Sequence, residues 1–180
     1  MCGISGGFEP RGKVKPGNIV RKIVEDQHSR GPDASQASEV EIKNYNAIFG
    51  HNRLSILDLD KRSNQPMNDR ENRYTLVYNG EIYNYIEIRK ELIDEGFLFK
   101  TTSDTEVLLY ALICWGREAI NKLNGMFAFG FFDRKEEKLL LGRDRFGVKP
   151  LFYYNKNNRF YFASTTRALA RLLDCTPNQS

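Results

Sequence analysis

Two spacings of apolar side chains run through the chain. A helical period of about 3.6 marks several segments, and short apolar runs bounded by Gly, Asn or Asp mark strands. Ile19, Val20, Ile23 and Val24 share one helical face, with Asn18 placed to cap it after a Lys15-Pro16-Gly17 loop. Tyr85, Ile88 and Leu92 mark a second helix over 83–95, stopped by Gly96. Ser103-Asp104-Thr105-Glu106 has the spacing of a capping box. It opens a third helix that buries Val107, Leu108, Ala111, Leu112 and Trp115 and ends at Gly116. A short helix over 118–123 and a last one over 166–173 complete the set.

Strands are expected over 3–8, where the glycines would let another backbone approach closely. Further strands follow between 40 and 57, then over 73–78, 97–100, 126–132, 138–142, 151–154 and 159–162. Arg30-Gly31-Pro32-Asp33 breaks the pattern, and 63–69 reads as polar loop around Pro66. Asn79-Gly80 after an apolar run has the form of a type I′ hairpin turn. Phe127, Phe129 and Phe131 against Phe132, together with Tyr153, Tyr154 and Tyr161, predict strands buried on both faces. Strands joined by short connections, with helices inserted in pairs, predict antiparallel sheets covered by helices, an α+β fold rather than a doubly wound parallel sheet.

Composition narrows the functional classes. The 180 residues suit one domain or two small ones. No apolar run approaches the ~20 residues of a membrane span, and no basic stretch leads into an apolar core at the N-terminus. A cytoplasmic protein with no membrane partner is expected. Lys plus Arg number 27 and Asp plus Glu 23, a net of +4. Residues 134–180 carry ten cations against four acids, whereas residues 1–133 carry seventeen against nineteen. The basic third is scattered among strands, which favours a solvated or partner-facing surface over a nucleic-acid site. Cys2, Cys114 and Cys175 are odd in number and widely spaced, so neither a disulfide framework nor a zinc site is expected. With only His28 and His51, a histidine metal site is poorly supplied, and no metal is assigned. Cys114 in an amphipathic helix reads as packed core, and Cys175 in a polar tail carries no role.

Cys2 is the residue that changes the picture. Removal of Met1 would leave a cysteine with a free α-amine at the chain start. A thiolate is a strong nucleophile. An α-amine has a pKa of about 7.7–8.0 and can act as the general base for its own side chain without a histidine.

The opening Met1-Cys2-Gly3-Ile4-Ser5-Gly6-Gly7-Phe8 resembles the start of the class II glutamine amidotransferases. These N-terminal-nucleophile enzymes hydrolyse the side-chain amide of glutamine. Further segments resemble the N-terminal domain of the glutamine-hydrolysing asparagine synthetases. They are Ser29-Arg30-Gly31-Pro32-Asp33, the stretch over 50–59 that contains Arg53-Leu54-Ser55-Ile56-Leu57, and Tyr78-Asn79-Gly80-Glu81-Ile82-Tyr83-Asn84-Tyr85. The last is Gly142-Arg143-Asp144-Arg145-Phe146-Gly147-Val148-Lys149-Pro150-Leu151. Ser103-Asp104-Thr105-Glu106 and Asn124-Gly125-Met126-Phe127-Ala128-Phe129 also fit, so the resemblance covers 2 to about 170 in order.

The resemblance implies a four-layer αββα sandwich of two antiparallel sheets, filling 2–180 as a single glutaminase domain. It implies Cys2 as nucleophile, with the Asn79 amide and the Gly80 N–H as oxyanion hole. Arg53 would pair with the α-carboxylate of L-glutamine, where a planar fork suits the ligand. Asp104 and Glu81 would take the α-ammonium, and Ile56 and Leu57 would line the pocket through backbone groups. Arg30 to Asp33 would have a structural or gating role and is given no chemistry, and 143–149 is read as structural. Two positions depart from the family pattern. Ser29 stands between His28 and the Arg-Gly-Pro-Asp motif, and Thr165 follows Phe162-Ala163-Ser164 where an acid is common. Ser5-Gly6-Gly7 continues as Phe8-Glu9-Pro10, so it is not the ATP loop of a synthetase half, and no Gly-x-x-x-x-Gly-Lys motif occurs. ATP and Mg are therefore expected only in a synthetase domain outside this chain, which would receive the ammonia for an asparagine-synthetase-like amidation. A sugar or secondary-metabolite acid is the alternative acceptor, and a non-catalytic glutamine-binding module the alternative role.

Overall fold

A computed structural model describes residues 1–11, 16–43, 45–54 and 64–172, with backbone alone at 16, 17, 171 and 172. The chain forms two compact units, one of Met1–Leu54 with Pro150–Ser180 and one of Ser55–Lys149.

The first unit contains β1 (Gly3–Pro10), α1 (Pro16–Asp26), β2 (Ala34–Glu41) and β3 (Tyr45–Arg53). A 3-10 turn at His28–Arg30 follows α1. Further along the sequence, β8 (Phe152–Lys156), β9 (Arg159–Ala163) and α5 (Thr166–Leu172) return to it. The strands form one antiparallel sheet in the order β2-β3-β1-β9-β8. Val20, Ile23 and Val24 of α1 pack with Ala168 and Leu169 of α5 against Ile48, Tyr161 and Ala163. The predicted face of α1 is therefore the buried one. Its start is earlier than expected: the helix begins at Pro16, whose fixed φ suits a first turn, so Asn18 lies inside it and is not the cap. The glycines of β1 also act differently from expectation. A Cβ at Gly6 or Gly7 would strike the rings of Phe162 or Tyr161 at 2.3 and 2.5 Å, so they admit side chains rather than backbone. Glu9, fully buried, accepts from Tyr161 Oη and lies 3.3 Å from Arg159 Nε, which ties β1 to β9.

The second unit contains β4 (Met67–Asn68), β5 (Tyr74–Ile82), α2 (Tyr85–Asp94), α3 (Asp104–Trp115), α4 (Ala119–Lys122), β6 (Gly125–Asp133) and β7 (Lys138–Arg143). Its antiparallel sheet runs β4-β5-β6-β7. Leu76, Tyr78 and Ile82 of β5 and Phe127, Phe129 and Phe131 of β6 share one face with Ile88 and Leu92 of α2 and Val107, Leu108, Ala111 and Leu112 of α3. The alternate residues Val77, Ala128 and Phe132 are buried as well, so β5 and β6 are covered on both faces as expected. Tyr153 is 70% exposed on edge strand β8, which corrects the same expectation there.

Ser103 caps α3, its Oγ accepting from Glu106 N–H at 3.3 Å. The Glu106 carboxylate does not return to Ser103. It accepts from the backbone of Lys100 (2.9 Å) and Thr101 (2.7 Å), and these contacts hold 97–100 as an irregular segment rather than the expected strand. Phe97 and Phe99 of that segment pack against Tyr110 instead, one tilted and one edge-on.

The loop after β7 is ordered by one carboxylate. Asp144 is 6% exposed and accepts from the N–H groups of Phe127, Phe146, Val148 and Lys149 at 2.9–3.2 Å. Burial raises its pKa, but those four backbone donors outweigh it and hold the carboxyl below its ordinary value. Arg143 closes the same loop through Lys149 O and Gly147 O. Arg143 to Lys149 is thus structural, as expected. A group with a depressed folded-state pKa stabilises above its unfolded pKa of about 3.9 and loses that contribution as pH falls through the folded value. Asp144→Ala is expected to lower stability at pH 7 by about 2–4 kcal/mol, because buried donors are stranded. In urea unfolding the gap should hold from pH 7 to 5 and narrow below about pH 4, as the part that depends on the charge is lost. An equal gap at pH 3 would rule out the ionised carboxylate as its source.

Candidate active site

Cys2 immediately precedes β1, and β1 is the middle strand of its sheet. Gly3 lies opposite Asn52 on β3, and Ser5 pairs with Gly50 on one side and Ala163 on the other. The ladder therefore fixes where residue 2 emerges. The Cys2 side chain is half-buried, and Leu54 N–H donates to its Sγ at 3.4 Å. Arg30 Nε donates to the Cys2 carbonyl at 3.1 Å. Burial lowers the pKa of the Arg30 guanidinium, and the charge of Cys2 offsets part of that. The Arg-Gly-Pro-Asp motif thus holds the main chain of Cys2.

Arg53 ends β3 and is 8% exposed, and its carbonyl accepts from Asp33 N–H at 3.0 Å. Gly31 makes that crossing possible. A Cβ there would lie 2.4 Å from Asn52 O and 2.6 Å from Arg53 C, both backbone atoms. Gly31→Ala is expected to push the loop off the end of β3 and move Arg53. Its readout is a lower melting temperature. An unchanged melting temperature would show that the crossing tolerates the added carbon.

In the second unit, Asn79-Gly80 is not a hairpin turn. β5 continues through it, with Asn79 opposite Ala128 and Gly80 opposite Phe127. Glycine is needed there for cross-strand approach, since a Cβ at Gly80 would meet Met126 O at 2.4 Å. Along an antiparallel strand alternate residues turn their N–H groups to the same edge. Tyr78, Gly80 and Ile82 turn theirs away from β6, toward the side where β4 pairs only with Leu76 and Thr75. Gln65 Oε1 takes the Tyr78 N–H at 2.5 Å, and Asp104 Oδ2 takes the Ile82 N–H at 3.2 Å. The Gly80 N–H between them has no hydrogen-bond partner among the described residues. Asn79 is 2% exposed, and its Nδ2 is likewise buried without a partner.

Asp104 is the first residue of α3 and 6% exposed. Tyr78 Oη donates to its Oδ2 at 2.7 Å. Burial pushes the carboxyl above the usual range. The Tyr78 hydroxyl and the Ile82 and Thr105 N–H groups pull it back, and Glu81 adds a like-charge push. Asp104 and Glu81 therefore form one acidic locus beside the two unpartnered donors.

Of the expected site residues, Cys2 and Arg53 lie in the first unit, with Leu54, next in chain to Arg53, on the thiol. Asn79, Gly80, Glu81 and Asp104 are gathered in the second. Ile56 and Leu57 lie outside the described residues, as does Cys175. Cys114 packs against the helix-covered core, and burial raises its thiol pKa. The contact of Arg30 on the Cys2 carbonyl fits the structural role expected of its motif. Sequence reasoning gave Gln65 and Tyr78 no role; Tyr78 stands in a motif quoted above and Gln65 in the loop around Pro66, but only folding reveals what their polar atoms touch. No group of three His, Cys, Asp or Glu suited to a metal ion occurs among the described residues. No helix among them is long and apolar enough to cross a membrane.

Residues 1–180 match the glutamine amidotransferase domain family. Asparagine synthetase [glutamine-hydrolyzing] 3 of Bacillus subtilis is 38% identical over 172 residues, covering 94% of this chain and 27% of that protein. Asparagine synthetase [glutamine-hydrolyzing] 1 of the same organism is also 38% identical, covering 94% and 26%. The chain thus spans about a quarter of the length of these relatives. Among solved structures, the glutamine phosphoribosylpyrophosphate amidotransferase of B. subtilis superimposes with a TM-score of 0.78 at 20% identity, covering 97% of this chain and 44% of that one. That likeness is one of fold, and it bears out the α+β class with two antiparallel sheets.

Proposed function

The chain belongs to the glutamine amidotransferase domain family, and from that premise we propose that it hydrolyses the side-chain amide of L-glutamine with Cys2 as nucleophile. The observation that carries the reading is the pair of unpartnered donors on β5, Asn79 Nδ2 and the Gly80 N–H. The buried Asn79 donor without a partner is costly, and next to the half-buried Gly80 N–H it suits an oxygen that gains charge during reaction.

With Met1 removed, the α-amine of Cys2 takes the thiol proton and the thiolate attacks the amide carbon. Asn79 Nδ2 and the Gly80 N–H hold the resulting oxyanion. The C–N bond breaks as the Cys2 ammonium returns the proton to the departing ammonia. Water then cleaves the γ-glutamyl thioester, giving glutamate and the free thiol. Arg53 pairs with the substrate α-carboxylate, Asp104 and Glu81 hold its α-ammonium, and Ile56 and Leu57 line the pocket. The ammonia passes to a synthetase domain or subunit that activates an acid with ATP and Mg, in an asparagine-synthetase-like amidation. The lengths and names of the curated relatives support that acceptor.

The test is release of ammonia and glutamate from glutamine by the purified protein, without ATP or acceptor. Equal amounts of both products are expected. Glutamine binding without release, with Cys2 unlabelled by a glutamine-like electrophile, would instead mark a binding module.

A further inference from the structure

Tyr78 lies on the helix-covered face of β5 and is 2% exposed. Its ring is ordinary core, but its hydroxyl is directed at one acceptor, Asp104 Oδ2, at 2.7 Å. The same oxygen also accepts from Ile82 N–H at 3.2 Å. One edge of the Asp104 carboxylate is thus anchored by two donors on β5, which also bears Asn79 and Gly80. The backbone of Tyr78 is pinned separately, through Gln65 Oε1.

We propose that Tyr78 is a positioning residue for glutamine, holding the Asp104 carboxylate oriented and ionised to receive the substrate α-ammonium. The inference rests on the reading of Asp104 given above. Its physical basis is that a buried carboxylate needs hydrogen-bond donors to stay charged. Among the described residues, the charged groups around Asp104 do not supply this. Glu81 on β5 repels it, and Glu106 on its own helix is turned onto the backbone of Lys100 and Thr101. Tyr78 Oη is the largest favourable influence on the ionised form. Its removal leaves burial less opposed, so Asp104 protonates at higher pH and its orientation loosens.

Tyr78→Phe keeps the packing ring and deletes only the donor. It is expected to raise the KM for glutamine about tenfold with kcat within about twofold, and to move the acid limb of kcat/KM to higher pH. Glutaramic acid, which is glutamine without the α-amino group, should react equally well with both proteins. Combined with Asp104→Asn, the Tyr78 change should add little further loss, because both act through one contact. If Asp104→Asn raises KM but Tyr78→Phe does not, the positioning role is wrong and the ammonium site stands. If Asp104→Asn leaves KM unchanged, both readings fall together. A Tyr78→Phe loss that is equal for glutamine and glutaramic acid would also overturn the proposal, since it would mark a general structural effect.

Discussion

Replacing Cys2 with alanine is expected to abolish ammonia release, by a factor on the order of 10⁴ or more, while leaving the fold and glutamine binding intact. The size follows from chemistry. Without the thiol no covalent γ-glutamyl intermediate forms, and the remaining groups only bind and polarise the amide. Stability should change little, because Cys2 is half-buried and its thiol contacts are weak ones to the Leu54 backbone, accepting from the N–H at 3.4 Å and donating to the carbonyl at 3.7 Å. Calorimetric titration should give a glutamine Kd within a few-fold of the parent's KM, and melting temperatures should agree within a few degrees. The mechanism also demands a free amine, so an intact-mass spectrum of active protein should lack Met1. Full activity with Met1 retained, or in the alanine variant, would eliminate Cys2 as an N-terminal nucleophile.

Asn79→Ala is expected to lower kcat by about 10² to 10³ with a much smaller effect on KM. The asymmetry is the informative part. An oxyanion donor binds charge that exists only after attack, so its loss is felt in the transition state and hardly in the bound substrate. The variant also removes a buried Nδ2 with no partner, so it should fold as stably as the parent or slightly more so. Lost activity with undiminished stability separates a catalytic donor from a structural one. A variant that melts much earlier with kcat preserved would place Asn79 in the framework.

Much of the fold was legible because local signals agreed with tertiary need. α2 stops at Gly96, whose φ of +91° few other residues adopt, and Ser103 caps α3 as its pattern predicts. The failures share one cause, since pairing decides where local pattern is silent. β2 over Ala34–Glu41 is mostly polar and only lightly buried, yet it is a full strand because β3 supplies a partner along its whole length. Asn79-Gly80 has turn chemistry, but β6 extends opposite it as far as Gly125 and carries the strand straight through. Phe97 and Phe99 alternate like strand residues, yet Glu106 takes their segment's backbone donors and leaves no ladder to join. The candidate site divides the same way. Its residue types were readable from motifs. The roles of Arg30 on the Cys2 carbonyl and of Gln65 and Asp104 on the edge of β5 depend on contacts 13 to 28 residues apart in sequence.

That edge of β5 has a further consequence, for association between molecules. An open strand edge with successive free N–H groups is a template on which another chain can build a sheet. Here the Tyr78 and Ile82 donors are already occupied by the side chains of Gln65 and Asp104, and among the described residues only the Gly80 N–H between them is left. An incoming strand needs donors at every second residue and finds a single one. The edge can therefore welcome one oxygen atom of a small molecule while refusing a neighbour's backbone, so exposing a reactive donor carries little risk of aggregation.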